Sequence, residues 1–265
     1  MSQENGVEEE LAGGVLVLSL NRPDKLNALT LDMMDALMEG FDRAKKDQDI
    51  RCVILRGKGR SFCTGRDFSE IGENTGLDYI VRFDSAYTAI FQDMRRLPKP
   101  VIAAVHGYAV GGGFSLAMGA DFLVTHCDAQ FGCLEMKHGF PAAINIALLS
   151  HHLGKRKALE FAMTGELISA GTLDQLDLVN LYVKADEDFE KMAFEFAEKL
   201  SRLDTLGVKF TKETFQAVES IHLEDALMVG RNLNLWLASS GKIREGAKKR
   251  ENKAAQSSST RGELT

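Results

Sequence analysis

Short runs of apolar residues that lack an alternating polar pattern set the strongest limit on the fold of this chain. Residues 52–55 and Val101–Val105 are two such runs, and each leads into a loop that contains glycine. Runs of this kind are typical of strands that are buried on both faces of a sheet. Amphipathic segments at residues 30–46 and 78–94 have the spacing of helices. This alternation predicts an α/β protein with helices on both faces of its sheet.

The pattern changes after about residue 182. Three helical stripes follow, at residues 189–200, 205–219 and 223–238, with no further candidate strand. We therefore expect residues 1–200 to form an α/β core and residues 201–250 to form a helical region. Residues 251–265 are polar and rich in serine, which predicts a flexible tail.

Charge and cysteine content exclude several classes of partner. The net charge is −6, so no overall basic field attracts nucleic acid or an anionic membrane. No apolar stretch is long enough to span a bilayer. The four cysteines lack C-x-x-C and zinc-finger spacing, which favours free thiols and no metal site. The first ten residues are too acidic for a leader sequence, and we predict a cytoplasmic protein.

Three glycine-containing segments are candidates for chemistry, at residues 57–67, 106–115 and 131–141. The first two do not complete a P-loop or a G-x-G-x-x-G motif, so phosphate binding by a glycine loop is not indicated. A strand that runs through residues 111–113 (Gly-Gly-Gly) into a helix presents free main-chain N–H groups. Such donors stabilise an oxyanion that forms during a reaction. The alternative is a tight turn packed against the sheet.

Five ordered groups of residues resemble the crotonase (enoyl-CoA hydratase/isomerase) superfamily. They are LNRP at 20–23 with NAL at 27–29, SFCTGRD at 61–67, PVIAA at 100–104 with GGG at 111–113, FG at 131–132 with Glu135 and GFP at 139–141, and TG at 164–165 with ISA at 168–170. The match runs in unbroken order from about residue 20 to residue 179. The resemblance implies a spiral of ββα units with a C-terminal helical trimerisation region, and a homotrimer or a dimer of trimers.

The resemblance also implies an acyl-CoA substrate, coenzyme A being part of that substrate, and no prosthetic group. The main-chain amides of Arg66 and Gly112 would hold the thioester oxygen as an oxyanion hole. The residues expected to contact CoA or the acyl group are Arg22, Lys25, Asn27, Ala28, Phe62, Gly65, Asp67, Gly111 and Pro141. For Arg22 and Lys25, a solvated surface charge is an equal alternative.

The acid–base pair is where the chain departs from the hydratases of this superfamily. They carry one glutamate three residues beyond the oxyanion glycine and a second twenty residues later. Here these positions are Ser115 and Glu135. Apolar neighbours such as Leu134 and Phe140 would raise the pKa of Glu135 toward that of a general base. We expect hydration of a 2-enoyl-CoA, or isomerisation of a 3-enoyl-CoA by Glu135 alone.

Ser115 has two interpretations within this family. Serine at this position with glutamate twenty residues on resembles the feruloyl-CoA hydratase-lyases of the family, in which it can orient a water that Glu135 deprotonates. Ile71 stands where that subgroup has a phenol-binding tyrosine, which argues against a hydroxycinnamoyl substrate. Ser115 can equally be a small helix residue that bonds the local backbone. A thioester hydrolase of the same family is a further possibility.

Two alternatives lie outside this chemistry. Residues 113–117 (GFSLA) are one residue away from the nucleophile elbow G-x-S-x-G of a serine hydrolase, for which His222 has the right chain order. Loss of one glutamate is also compatible with a family member that has become a non-catalytic scaffold. In an enzyme, we expect the acyl pocket to be lined by residues 68–91, the Phe140 region and the C-terminal helices.

Overall fold

The structure, a computed structural model, describes residues 6–72 and 76–245. The chain divides into two compact units, one that ends at Lys209 and one that begins at Phe210. The predicted tail at residues 251–265 lies outside the described residues. The assignment of separate catalytic and oligomerisation regions to residues 1–200 and 201–250 stays a prediction.

The first unit alternates strands and helices. Its strands are β1 (Val7–Ala12), β2 (Val15–Leu20), β3 (Cys52–Gly57), β4 (Val101–Val105), β5 (Tyr108–Val110), β6 (Phe122–His126), β7 (Gln130–Gly132), β8 (Ile168–Ser169) and β9 (Leu181–Val183). Its helices are α1 (Leu31–Lys46), α2 (Leu77–Arg96), α3 (Gly112–Gly119), α4 (Ala143–His152), α5 (Lys155–Thr164), α6 (Ala170–Gln175) and α7 (Phe189–Ser201). Short 3-10 helices lie at Pro23–Lys25, Phe68–Glu70 and Leu134–His138.

Two sheets organise the first unit. The larger has the strand order β1-β2-β3-β4-β6-β9, and the smaller has the order β5-β7-β8. From β2 to β9 the neighbours in the larger sheet are parallel, while β1 pairs with β2 in antiparallel fashion. β5 and β7 are also parallel, and their carboxyl ends lead to Gly111 and Cys133. The smaller sheet therefore places two of the three glycine-containing segments, residues 106–115 and 131–141, at the end where the carboxyl termini of β5 and β7 lie.

Both faces of the larger sheet are buried, as the apolar runs predict. Leu16 and Leu18 of β2 enter a large core that includes α1. Val15 and Val17 enter a smaller core on the opposite face, which also contains Ala193 of α7. Each fully buried aliphatic side chain of this kind contributes about 1.5–3 kcal/mol to folding. The parallel core thus fixes the strand ends that carry the candidate site.

Neither β1 nor β9 was predicted from the sequence. β1 carries Glu8, Glu9 and Glu10, and it tolerates them because it is an edge strand with one exposed side. β9 ends at Val183, next to the predicted change of pattern at about residue 182, and only helices follow it among the described elements. A three-residue edge strand is too short to give a clear periodic signal.

The last two helices carry exposed apolar side chains. α8 (Thr205–Val218) begins in the first unit and continues into the second, and α9 (Leu223–Ser239) lies in the second. Neither contains a buried residue. The large exposed apolar side chains here include Leu206, Phe215, Leu223, Leu227, Met228, Leu235 and Trp236. None of the described helices is both long enough and apolar enough to span a membrane.

Candidate active site

A close approach of two backbone segments forms the base of the candidate site. Gly65 has φ +87° and Gly111 has φ +54°, both in the left-handed region that favours glycine. A Cβ on Gly65 would lie only 2.8 Å from the Gly112 nitrogen. A Cβ on Gly113 would overlap the carbonyl oxygen of Cys63. The absence of side chains at these positions is what lets the two segments meet.

Hydrogen bonds fix the direction of the segment that contains Gly65, residues 63–67. The Val110 amide donates to the Cys63 carbonyl over 3.1 Å, which ties this segment to β5. On the other side, the Leu29 amide donates to Gly65 and the Asp67 amide donates to Leu29. Successive amides of an extended segment point in opposite directions, so the Arg66 amide faces away from Leu29.

The amides of Arg66 and Gly112 have no acceptor within the described part of the chain. Gly112 is the first residue of α3, where main-chain N–H groups have no partner inside the helix. Both residues line the same cavity, whose volume is about 360 Å³. This arrangement is compatible with the predicted oxyanion hole, which stays a prediction.

The cavity brings together most of the predicted chemical residues. Its lining includes Gly65, Arg66, Gly111, Gly112, Ser115, Glu135 and Pro141. Phe68, Phe83, Tyr87, His138 and Phe140 also line it, as expected for an acyl pocket formed by the 68–91 and Phe140 regions. The rings of Phe68 and Phe140 are in edge contact at 5.8 Å between centroids.

Glu135 lies in the 3-10 helix that follows β7. The Asn145 side-chain amide of α4 donates to Glu135 Oε1 over 3.3 Å and to the Gly111 carbonyl over 2.9 Å. Glu135 Oε2 is buried and has no hydrogen-bond partner among the described residues. Burial raises the pKa of Glu135, and the Asn145 hydrogen bond offsets part of that rise. This carboxyl has the environment of a general base with one oxygen held and one free.

Ser115 is buried beside a tyrosine that the sequence analysis did not single out. The Tyr87 hydroxyl of α2 donates to the Gly112 carbonyl over 2.6 Å. The Ser115 side chain lies beside the same hydroxyl. Burial raises the pKa of Tyr87 well above its ordinary value, so the phenol stays neutral. The helical spacing of Phe83, Tyr87 and Ile90 fits a core face, which concealed this role. A buried tyrosine hydroxyl usually has a partner, and that was the available signal.

Several predicted CoA-binding residues have partners inside the protein. The Arg22 guanidinium donates to Asp67 over 3.0 Å and to the Ala28 carbonyl over 2.7 Å. Asn27 is fully buried and donates to the carbonyls of Lys58 and Ser61. These contacts join the segment after β2 to the segment that carries Arg66.

Six predicted residues do not line the cavity: Arg22, Lys25, Asn27, Ala28, Phe62 and Asp67. Phe62 is fully buried in the core, whereas Lys25 is exposed. The contacts of Asn27, Phe62 and Asp67 give them a structural role, and contact of any of the six with CoA stays a prediction. Among the described residues, no group of three or more His, Cys, Asp or Glu side chains could hold a metal ion.

The comparisons with known proteins identify the family. A family model described as enoyl-CoA hydratase/isomerase matches residues 10–257. The chain belongs to the enoyl-CoA hydratase/isomerase family. The predicted resemblance to the crotonase superfamily is thereby confirmed.

Relatives of known name cover nearly the whole chain. A Thermus thermophilus protein named "Putative enoyl-CoA hydratase" is 32% identical over 88% of this chain and 93% of its own length. The 1,2-epoxyphenylacetyl-CoA isomerase of Escherichia coli is 31% identical over 88% of this chain and 90% of its own length.

The fold agrees with solved structures of this family. The Bacillus anthracis enoyl-CoA hydratase superposes with a TM-score of 0.86 at 26% identity, covering 94% of this chain and 96% of its own. The crotonase-like α/β fold with a helical C-terminal region is therefore confirmed. The α/β-hydrolase fold that a serine hydrolase would need is excluded.

The raised pKa of Glu135 predicts a pH-dependent effect on stability. The folded state binds this proton more tightly than the unfolded chain, so the free energy of unfolding falls as pH rises between the two pKa values. Glu135→Gln should therefore be more stable than the wild type near pH 7, and this difference should disappear near pH 4. Denaturant unfolding of both proteins at the two pH values measures it.

Glu160→Gln is the matched control, because Glu160 is an exposed carboxylate paired with Lys157. It should show no gain in stability at neutral pH. A Glu135→Gln protein that is less stable than the wild type at neutral pH would contradict the burial of this charge.

Proposed function

We propose that this protein is an acyl-CoA enzyme that hydrates the double bond of a 2-enoyl-CoA. One observation carries the proposal: Arg66 and Gly112, whose main-chain amides have no acceptor among the described residues, line the same cavity as Glu135 and Ser115. Membership of the enoyl-CoA hydratase/isomerase family supports a CoA thioester as substrate. The family acts without a prosthetic group.

The two amides act on the thioester oxygen. Addition of water to C3 moves the electrons of the double bond toward C2 and the thioester carbonyl, which becomes an enolate. Fixed N–H donors from Arg66 and Gly112 stabilise this charge, and loss of one such donor in comparable sites costs about 10²–10³ in rate. The Gly112 amide also lies at the N-terminus of α3, where the helix dipole favours negative charge.

A single carboxylate can serve both proton transfers of hydration. The free Oε2 of Glu135 takes one proton from the water while the water oxygen forms its bond to C3. The same carboxyl then returns that proton to C2 of the enolate, so the product carries one added OH and one added H. The Ser115 hydroxyl orients the water in place of the glutamate that the chain lacks.

Asn145 and Tyr87 position these groups. Asn145 bridges Glu135 and the Gly111 carbonyl, so it couples the base to the glycine segment. Tyr87 donates a hydrogen bond to the Gly112 carbonyl, which fixes the peptide next to the proposed oxyanion donor. These bonds keep the base and the donors in one geometry, which is the requirement for preorganised catalysis.

Isomerisation of a 3-enoyl-CoA to a 2-enoyl-CoA is the second candidate. The position of Ser115 beside the Tyr87 hydroxyl favours it, because a tyrosine next to the serine leaves less room for a water. Glu135 would remove a proton from C2 and return it to C4 through the same enolate. A hydratase-lyase or thioester hydrolase reaction has less support, since Ile71 replaces the tyrosine of the hydratase-lyases.

The assembly is part of the same proposal. The apolar side chains that α8 and α9 leave exposed are typical of a subunit interface, and they support a homotrimer or a dimer of trimers. A cytoplasmic location stays a prediction.

Glu135→Gln should abolish proton transfer while the amides of Arg66 and Gly112 remain in place. We expect kcat to fall by about 10²–10⁴, with little change in the Kd of a saturated acyl-CoA. Steady-state kinetics and calorimetric titration measure the two effects. Glu160→Gln, outside the cavity, is the control and should leave both unchanged. Normal turnover by Glu135→Gln would show that the base is another residue.

Turnover in heavy-oxygen water separates the two candidate reactions. A panel of 2-enoyl-CoAs and 3-enoyl-CoAs is incubated with the protein, and the products are analysed by mass spectrometry. We expect heavy oxygen in a 3-hydroxyacyl-CoA product. An unlabelled product with a moved double bond would select isomerisation instead, and no turnover above the solution rate would favour the scaffold.

A further inference from the structure

Arg66 lines the cavity, and its side chain contacts two other residues of the lining, Phe83 and Asp84. Its Cζ lies 3.9 Å from the centroid of the Phe83 ring, and the side chain is only 18% exposed. Phe83 and Phe68 line the same cavity. The guanidinium is therefore a permanent positive charge placed among the aromatic residues of the expected acyl pocket.

This guanidinium is only partly satisfied by the protein. Nη1 lies 3.5 Å from Asp84 Oδ1, at the outer limit of a hydrogen bond, and the Asp84 side chain is 63% exposed. Nη2 is buried and has no hydrogen-bond partner among the described residues. An unpaired buried donor on a charged group is unfavourable, and an alkyl acyl chain would leave it unpaired.

We infer that the cavity selects acyl groups that end in a carboxylate, with Arg66 as the specificity-determining residue. This inference rests on the proposed function, because it assumes that the acyl part of a CoA thioester occupies the cavity. A carboxylate can accept two parallel hydrogen bonds from a guanidinium, which gives both affinity and orientation. It would supply the acceptor that Nη2 lacks.

The geometry also limits the length of the acyl group. The amide of Arg66 is a proposed donor to the thioester oxygen, and the guanidinium belongs to the same residue. The distance from the thioester to the terminal carboxylate is therefore bounded by one arginine side chain, which indicates a short diacid. Phe68 and Phe83 would contact the carbons between the two ends.

Two acidic groups oppose a second carboxylate in this cavity. Glu135 stands across the glycine segment, and Asp84 competes for Nη1. The exposure of Asp84 lets it turn toward water, so that the substrate carboxylate takes its place. Removal of the Asp84 charge should consequently strengthen the selection.

Binding of saturated acyl-CoAs tests the inference without any need for turnover. Succinyl-, glutaryl- and adipyl-CoA are compared with butyryl-, pentanoyl- and hexanoyl-CoA by calorimetric titration. We expect one diacid thioester to bind roughly 10- to 100-fold more tightly than its alkyl match, the range for a hydrogen bond to a charged group. Arg66→Met, which keeps the main-chain amide, should lose this preference, and Arg66→Lys should keep part of it.

Asp84→Asn should increase the preference, and Arg82→Met is the matched control. Arg82 lies on α2, as Asp84 does, but it pairs with Asp35 and does not line the cavity. Its replacement by methionine should therefore leave the preference for diacid thioesters unchanged. Equal or weaker binding of every diacid thioester by the wild type would overturn the inference. So would a preference that survives in Arg66→Met or that is lost equally in Arg82→Met.

Turnover separates this outcome from the proposed reaction. A diacid preference without turnover of any enoyl-CoA would leave the selection standing and remove the proposed hydratase. Turnover of alkyl enoyl-CoAs without a diacid preference would support the proposed hydratase and overturn the selection of diacids.

Discussion

The contact between residues 63–67 and residues 111–113 is the constraint on which the rest of the site depends. Gly65 brings its backbone beside the Gly112 nitrogen, and Gly113 packs against the Cys63 carbonyl with no room for a side chain. β5 leads into residues 111–113, and the Val110–Cys63 hydrogen bond ties the other segment to β5, while Leu29 bonds that segment on its other side. Among the described residues the amides of Arg66 and Gly112 have no acceptor, because Leu29 bonds to the residues on either side of Arg66 and Gly112 begins α3.

The same contact determines the state of the base. Asn145 joins the Gly111 carbonyl to Glu135, so the carboxyl is held by the glycine segment that carries the proposed oxyanion donor. Burial there raises the pKa of Glu135 toward the pH at which a general base is most effective. Tyr87 holds the Gly112 carbonyl. Hydrogen bonds thus join the glycine segment both to Tyr87 and, through Asn145, to Glu135.

The sequence was sufficient for those features that local chemistry dictates. Apolar runs predicted the buried parallel strands, and the spacing from Gly112 to Glu135 led to residues that line one cavity. It could not reveal the partners of Tyr87, or that Arg66 would contribute a side chain as well as an amide. Those contacts depend on how α2 packs against α3, which no local pattern encodes. Likewise, Arg22 carries a charge that fits a phosphate, and its pairing with Asp67 is a tertiary contact.

The vibrational frequency of a bound thioester carbonyl tests the central claim most directly. An acyl-CoA with carbon-13 in its carbonyl is bound to Glu135→Gln, which should hold it without reaction, and the infrared difference spectrum is recorded. If the amides of Arg66 and Gly112 converge on the oxygen, the carbonyl stretch shifts to lower frequency on binding. Gly112→Pro, checked for folding by circular dichroism, should lose this shift because it lacks one donor. A carbonyl frequency that is the same in the bound and free thioester would contradict the account.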